Sequence, residues 1–480
     1  MNKIVTENSG KEKITALLQT FSPQEVQRFK LFLQSPFYNQ NLILNNLFEI
    51  FQLIVFKPEA ENYTQQTIWK QLFGTKKFNN IRYQGLLSDL NKLAELFVTL
   101  QTFTHDKHLK HVVQLQTFNQ RGLDKQYLYT KKQTPKIADK KDKKTQQLYL
   151  HQYLIETEEN EYLVRQQNRS GDLNIEKQLA ALDNFYLLHK LQGWCAILHY
   201  KSVNSVVVPV KFDIQLLEYL KKSHQVNDDL IQAYYFILLS LMHSNDESNF
   251  KKQKQFLQTQ HQNYSAEVLR NLYLYAINYC IQKIVSGKTN YYDEIFDLYK
   301  TYLTDIFIDK KQILSPWDYK NITTVAIRLK EFNWAENFIT SYQIYLPKPH
   351  RHNAITYNLA KIYFEKKEFE KCLKQLLQVD YNDVFYLLDT KITQIKTLYE
   401  LKELDTLDSL VKSFRLLIKR KKIITQQHQK VYFNFIKFVA LLMRNNSEQT
   451  LTKARNELSN LKEIVDAKWL MEKLIEKVDS

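Results

Sequence analysis

Three histidines at intervals of three residues come nearest to a metal-binding pattern in this sequence: His105, His108 and His111. Zinc and related ions need three or four protein ligands that converge on one point. On a helix, steps of three residues turn through about 300°, so these rings fan over about a third of the circumference. No HExxH motif and no cysteine lies near them. The sequence therefore predicts no metal site here.

The other polar groups that could do chemistry are typical of exposed surfaces. His350 to His352 precede Asn353, which predicts exposed loop histidines ahead of a helix capped by Asn353. The carboxylate pairs Glu158-Glu159 and Asp228-Asp229 lie in polar runs that are typical of solvated faces. The 7 glycines form no GxGxxG or Walker-type loop, and no GxSxG motif occurs. We therefore expect no catalytic, cofactor-binding or metal site, and a protein that is not an enzyme.

Three cysteines stand far apart in helical contexts, at Cys195, Cys280 and Cys372. An odd number without local pairing makes neither a disulfide framework nor a thiolate metal site, so we expect reduced core residues. The first residues, Met1 to Lys13, are polar, and no run of about 18 apolar residues occurs anywhere in the sequence. These features predict a soluble, cytoplasmic protein without a membrane span.

The composition favours an all-α fold. Sheets and barrels need glycine and proline at their turns, and the chain has only 7 Gly and 8 Pro. The hydrophobic fraction of 44%, with 13% aromatic residues, lies in the globular range. A chain of 480 residues could hold about three average domains or one continuous helical array.

The net charge has two interpretations. Lysine and arginine number 67 and the acidic residues 51, so 67 − 51 gives +16, which favours acidic partners such as nucleic acid. Only 12 of the basic residues are arginine, whereas phosphate and base recognition prefers the arginine fork. The chain is also rich in Asn, Ile, Tyr and Phe, which share A/T-rich codons with lysine. A compositional bias therefore explains much of the charge without a function.

The first clear helix signal is Phe21 to Val26. Ser22 can cap the helix, Pro23 suits its first turn, and Glu25 can complete a capping box while Phe21 packs on Val26. Further helices are predicted from about 39 to 56, 64 to 73 and 81 to 103, the last two separated by a turn that contains Gly74. This pair resembles a DNA-binding helix-turn-helix only loosely, because such pairs are common in all-α proteins. Residues 1–130 are thus predicted to form an N-terminal helical domain.

Between Lys131 and Lys144 lie seven lysines, two aspartates and one proline, with few apolar groups to bury. This stretch is predicted to be a basic linker and a domain boundary. A second basic group, Arg415 to Lys422, is expected at a helix end, where cations also stabilise the helix dipole. The run Val206 to Val210 contains a proline and is expected to be an extended connector.

A period becomes visible in the second half of the chain. KEFNWAENFI begins at Lys330, KEFEKCLKQL at Lys367 and KELDTLDSLV at Lys402, so the spacings are 37 and 35 residues. Leu314 to Tyr319 repeats the helix-start pattern of residues 21–26, with Ser315 as the cap and Asp318 in place of the capping glutamate. A period in the mid-thirties with helices on both sides is typical of stacked helical hairpins.

The segment resembles tetratricopeptide-like repeats, best in Tyr357 to Val379. Ala360 stands at the small position of the first helix, Tyr363 at its aromatic position and Cys372 at the small position of the second helix. The resemblance implies that Cys372 is buried where two helices meet. The flanking units depart from the pattern, since Leu407 is larger than the small position requires. The opening of the chain, with SPFYN after a Ser-Pro helix start, resembles a group of uncharacterised bacterial helical proteins.

The sequence thus predicts an all-α fold in which residues 145–480 form a helical-hairpin repeat array, or α-solenoid, that ends in C-terminal capping helices. The expected function is that of a non-enzymatic protein-interaction scaffold, which binds a protein or peptide partner on the repeat surface. The alternative is a nucleic-acid-binding protein that uses its basic surface. The sequence identifies neither the partner nor the partner-binding residues.

Overall fold

A computed structural model describes most of the chain. The described residues are 9–56, 63–133, 143–166, 174–204, 212–222, 228–307, 312–379, 384–420, 426–444, 447–461 and 463–479. They form 23 α-helices and two short 3-10 helices, with no strand among them, which confirms the all-α class. Within these ranges no helix combines the length and the apolar character that crossing a membrane requires. The connector expected at Val206 to Val210 lies outside the described residues.

The chain divides into two compact units, residues 1–187 and 188–480. The first contains eight helices within its described residues, and a ninth helix crosses the division. The bounds are α1 (Ser9–Leu18), α2 (Pro23–Gln34), α3 (Ile43–Phe56), α4 (Gln65–Phe73), α5 (Asn80–His105), α6 (Lys107–Gln120), α7 (Asp124–Gln133), α8 (Gln147–Arg165) and α9 (Ile175–Asn204).

Helix α2 begins as its sequence predicts. The Ser22 hydroxyl accepts a hydrogen bond from the Glu25 N–H, and the Glu25 carboxylate accepts one from the Ser22 N–H, so the capping box is complete. These hydrogen bonds lower the pKa of Glu25. Phe21 and Val26 are both buried in the core, as a hydrophobic staple requires.

Helix α5 is the centre of the first core, and α1, α2 and α3 all pack against it. The core is rich in phenylalanine: the Phe29 ring centroid lies 4.9 Å from that of Phe48 and 5.1 Å from that of Phe97. Phe21 lies 5.6 Å from Phe29. Burial of such large apolar side chains is the main source of stability in a closed core.

Helices α6, α7 and α8 form a second cluster in the same unit, where the Tyr127 and Tyr162 rings stack at 3.9 Å. The stretch 131–144 lies between α7 and α8: residues 131–133 complete α7, and 134–142 lie outside the described residues. Helix α8 packs on α6, so the helices on both sides of this stretch belong to the same compact unit. The division between the two units falls after Leu187.

The second unit contains fourteen further helices within its described residues. The bounds are α10 (Ile214–Lys222), α11 (Asp229–Met242), α12 (Glu247–Gln260), α13 (Ala266–Val285), α14 (Tyr291–Ile306), α15 (Pro316–Arg328), α16 (Phe332–Tyr342), α17 (Lys348–Glu365), α18 (Phe369–Leu376), α19 (Val384–Glu400), α20 (Leu404–Arg420), α21 (Gln426–Leu442), α22 (Glu448–Asn460) and α23 (Ala467–Val478).

From α11 onward, helices pack mainly on their neighbours along the chain. Each of the helices α15 to α20 contacts the next one, and α15 also contacts α17, as α17 contacts α19. Helix α11 likewise contacts α13, and α21 contacts α23. Contacts of this kind are local in sequence.

Three turns in this unit share one backbone conformation. Lys330, Lys367 and Lys402 follow α15, α17 and α19 and have φ of 63°, 62° and 60°, in the left-handed region. In each turn the N–H of the following glutamate donates to the carbonyl five residues back, at 2.9, 2.8 and 3.0 Å. This geometry closes the end of a helix and usually has glycine at the left-handed position. Gly122 and Gly287 make the equivalent turns after α6 and α13.

Two sequence-based expectations for helix starts in this unit are wrong. Ser315 caps α15 through the Trp317 N–H, but Asp318 does not close a capping box. The Asp318 carboxyl is instead partly enclosed; burial raises its pKa and the Arg270 guanidinium lowers it. Helix α17 begins at Lys348, because a proline in its first turn has a backbone angle that suits a helix, so His350 to Asn353 are helical.

Candidate functional site

Lys320 on α15 lies among aromatic rings from three helices. Its Nζ is 5.3 Å from the Trp317 ring centroid, 5.5 Å from that of Tyr357 on α17 and 6.0 Å from that of Tyr386 on α19. The ammonium also forms an ion pair with Asp389 of α19. Rings attract a cation through their negative faces, so the charge is stabilised from several sides. We refer to these five residues as the Trp317 cluster.

Hydrogen bonds hold the members of the Trp317 cluster in place. The Tyr386 hydroxyl donates to the Pro316 carbonyl at 3.1 Å, and the Tyr357 hydroxyl donates to the Asp389 carboxylate at 3.4 Å. Burial, together with the Asp389 charge, raises the pKa of Tyr357 well above its ordinary value. Trp317 is 44% exposed, so the cluster reaches the surface of the second unit at this indole.

A second cluster surrounds Lys396, which is only 3% exposed. The Lys396 Nζ lies 3.0 Å from the Asp466 carboxylate and 4.3 Å from the Phe364 ring centroid. On α23, the Trp469 Nε1–H donates to the Glu400 carboxylate at 2.7 Å. These five residues form the Lys396 cluster.

The ionic state of the Lys396 cluster follows from its burial. Burial lowers the pKa of Lys396, and the Asp466 carboxylate opposes this effect. Burial raises the pKa of Asp466, but Lys396 and Lys361 outweigh it and hold this pKa below its usual value. A buried ion pair is tolerated only when the two partners stay together.

Helix α19 connects the two clusters. Tyr386, Asp389, Thr393, Lys396 and Glu400 follow one another at steps of three or four residues, so they lie on one face of the helix. Thr393 and Lys396 are buried, and the Thr393 hydroxyl donates to the Asp389 carbonyl. Tyr386, Thr393 and Lys396 of this face are therefore packed inside the unit.

Within the Trp317 and Lys396 clusters, the residues that pair with each other are separated in the sequence by a nearly constant number of residues. Lys320 and Asp389 are 69 residues apart, Lys396 and Asp466 70, and Glu400 and Trp469 69. These separations are close to twice the spacings of 37 and 35 between the aligned segments.

The histidines 105, 108 and 111 do not lie on one helix. His105 ends α5, His108 and His111 lie on α6, and the ring of His108 faces that of His151 on α8, with centroids 5.9 Å apart. The His111 Nδ1 lies 2.6 Å from the Lys107 carbonyl. Among the described residues, no three His, Cys, Asp or Glu side chains form a group that could hold a metal ion.

The carboxylate pairs have structural partners. Glu158 is buried and accepts a hydrogen bond from the Asn119 amide at 2.7 Å, and burial raises its pKa, so the expectation of a solvated face is wrong for this residue. Glu159 forms an ion pair with Lys131. Asp228 caps α11 through the N–H groups of Leu230 and Ile231.

The basic and sulfur-containing residues are placed as follows. Arg415, Lys419 and Arg420 are exposed at the end of α20, whereas Lys421 and Lys422 lie outside the described residues. All three cysteines are free and buried, as the sequence predicts. The Cys372 Sγ lies 3.3 Å from the Thr397 hydroxyl, so this cysteine is buried between α18 and α19.

Sequence reasoning missed both clusters, because their members are dispersed along the chain and no local motif connects them. A search for opposite charges and aromatic pairs at twice the period could have found Lys320 with Asp389 and Lys396 with Asp466. No protein-family model matches the chain, and neither a curated protein nor a solved structure matches it. The site must therefore be interpreted from its own geometry.

Proposed function

We propose that the second unit contains an array of tetratricopeptide-like helical hairpins, and that the chain is a non-enzymatic scaffold that binds a protein or peptide partner. Three features support the array. The left-handed lysines recur at spacings of 37 and 35 residues, alternate helices such as α15, α17 and α19 pack side by side, and side-chain pairs bridge 69 or 70 residues. Stacked units of this kind expose a continuous row of helices.

The observation that carries the proposed binding function is the Trp317 cluster on α15, α17 and α19. Trp317 is 44% exposed, and tryptophan is among the residue types that contribute most to binding energy in protein interfaces. The Tyr386 ring, 6.2 Å from the Trp317 ring, is held by its hydrogen bond to the Pro316 carbonyl, so the surroundings of the indole are ordered before a partner binds. An apolar or aromatic side chain of the partner can pack against Trp317. The buried free cysteines fit a reducing compartment such as the cytoplasm.

Photo-crosslinking tests this proposal directly. A benzophenone amino acid replaces Trp317 in the full chain, and the labelled protein is irradiated in an extract of its native cells. We expect a discrete protein adduct at position 317. The matched control places the same group at Leu416, which is 52% exposed on α20 and lies outside the cluster.

Once the adduct is identified, the purified partner gives a quantitative test. Trp317→Ala should weaken its binding by roughly thirtyfold, the effect expected of a central aromatic anchor. Equal adducts at positions 317 and 416, or unchanged affinity of the Trp317→Ala variant, would argue against this surface as the binding site.

Nucleic-acid binding remains a second candidate because Arg415, Lys419 and Arg420 are exposed together at the end of α20. Phosphate contacts release counterions, so such binding should weaken steeply between about 50 and 200 mM salt. We expect only weak binding of mixed-sequence DNA or RNA near 150 mM salt, measured by fluorescence anisotropy. Sub-micromolar affinity that is lost when Lys419, Arg420, Lys421 and Lys422 are replaced by glutamine would favour this second function.

A further inference from the structure

Two helices of the first unit begin at one open cavity. Helices α6 and α8 contribute their N-terminal ends, and the cavity has a volume of about 350 Å³. This volume is near the lower end of the range of small-ligand sites. The side chains that matter for its chemistry are His105, Lys107, His108, Lys143, Gln147 and His151.

The charges around the cavity favour an anion. The helix dipole makes each N-terminus electropositive, and Gln146, which immediately precedes α8, makes no side-chain cap. Lys107 and Lys143 are exposed at the rim and add two positive charges. The carboxylate at the cavity belongs to Asp106, which accepts a hydrogen bond from the Leu109 N–H at 2.9 Å.

His151 supplies an independent observation. It is only 6% exposed, it lines the cavity, and its Nδ1 has no hydrogen-bond partner. A buried polar nitrogen without a partner costs free energy unless a ligand or water satisfies it. Its ring faces that of His108 at an interplanar angle of 17°. Burial lowers the pKa of His151, Asp106 raises it and His108 lowers it further.

We propose that this cavity binds a small oxyanion of the phosphate class. The positive ends of the α6 and α8 dipoles and the ammonium groups of Lys107 and Lys143 attract the anion, and the protonated His151 donates a hydrogen bond to it. The inference concerns the first unit and does not depend on the proposed scaffold function.

The site predicts a defined dependence on pH. Burial keeps the pKa of His151 below 6.5 in the free protein, and a bound anion favours the protonated ring. Anion binding therefore takes up a proton, and affinity rises as the pH falls. His105 and His108 line the same cavity, and the other charged groups around it are Asp106, Lys107 and Lys143.

Sulfate is the appropriate probe for this dependence. It keeps its double charge at neutral pH, whereas the second pKa of a phosphate ester is near 6, so that the ligand itself titrates. Histidine-ring resonances of the full chain, labelled with carbon-13, are followed during sulfate titrations at constant ionic strength. We expect the resonances of His105, His108 and His151 to shift together, with affinity about tenfold higher near pH 6 than near pH 8.

Two substitutions test the residues. Lys143→Gln removes an exposed charge at the rim and should weaken sulfate binding severalfold, whereas Lys110→Gln removes an exposed lysine of α6 that lies outside the cavity and should have no effect. His151→Gln should abolish most of the pH dependence. Inorganic phosphate and glycerol 3-phosphate should both bind, and tighter binding of the second indicates that the anion is part of an organic molecule.

Three outcomes would overturn the inference. One is the absence of saturable shifts of these histidine resonances at pH 6. Another is equal affinity of the Lys143→Gln and Lys110→Gln variants. The third is affinity that is independent of pH in the wild-type protein.

Discussion

The core around α5 and the segment from α15 to α20 bury their residues in different ways. In the first, α1, α2 and α3 converge on one central helix, and the interior is a cluster of phenylalanines. In the second, each helix packs on its neighbours along the chain, and α19 carries Asp389, Thr393 and Lys396 along an inward polar face.

The two regions therefore depend on different interactions for their stability and for their particular packing. A closed apolar core is held by non-directional burial, so its stability depends on volume and area. The buried polar side chains of α19 depend on particular partners, because a buried charge without its partner is strongly unfavourable. Substitutions should therefore affect the first region through lost packing. In the second region lost pairing adds to lost packing, because an apolar core that includes Cys372, Leu388 and Phe414 also lies there.

The largest effect is expected from truncation in the first core. Phe29 is fully buried among four aromatic rings, so Phe29→Ala should reduce the free energy of unfolding by about 3–5 kcal/mol. Leu31→Ala on the same helix is the control, since Leu31 is largely exposed. Hydrogen exchange with mass spectrometry should show lost protection in α1 to α5. Equal effects of the two substitutions would contradict the assignment of this core.

The Lys396–Asp466 pair tests the second region. Lys396→Met leaves the Asp466 carboxylate, which is partly exposed, without its main partner and should cost about 2 kcal/mol. The double variant Lys396→Met, Asp466→Asn removes both charges and should recover part of this loss. Denaturant unfolding of these two variants and of Asp466→Asn alone measures the coupling. If the two single substitutions are additive in the double variant, the pair has no role in organising this interior.

A smaller effect is expected where α18 meets α19. Cys372 is fully buried against Thr397, so Cys372→Phe should overpack this contact and cost on the order of 1–3 kcal/mol. Cys372→Ala is the control for loss of the thiol alone. A Cys372→Phe variant that melts at the wild-type temperature would contradict close packing at this position.

The smallest effects are expected at the left-handed lysines. Here substitution should raise the free energy of unfolding, whereas the preceding substitutions lower it. Replacement of Lys330, Lys367 or Lys402 by glycine removes the strain of a side chain at positive φ and should stabilise the protein by about 0.5–1 kcal/mol at each site. Lys366→Gly, one residue earlier in the right-handed helical region, should destabilise it instead. Thermal unfolding of the four variants checks the sign. Destabilisation at all four positions would contradict the turn geometry.

The sequence predicted those features that depend on neighbouring residues. The capping box of Ser22 and Glu25 and the burial of Cys372 follow from local patterns, and both are confirmed. The site did not follow, because Lys320 and Asp389 become partners only when helices 69 residues apart are brought together. Asp318 shows the same limit: the local pattern indicated a cap, but tertiary packing directs its carboxyl inward beside Arg270.

Removal of one period tests the central claim that the helices from α15 to α20 form equivalent units. Deletion of residues 330–366 joins Leu329 to Lys367 and removes one spacing of 37 residues, so the same lysine-glutamate turn follows α15. We expect this variant to remain helical and to unfold cooperatively, because units of a repeat array fold through their nearest neighbours. Deletion of residues 330–352, which removes 23 residues and breaks the register, should abolish the cooperative transition. Loss of cooperative unfolding in both deletions alike would contradict the account.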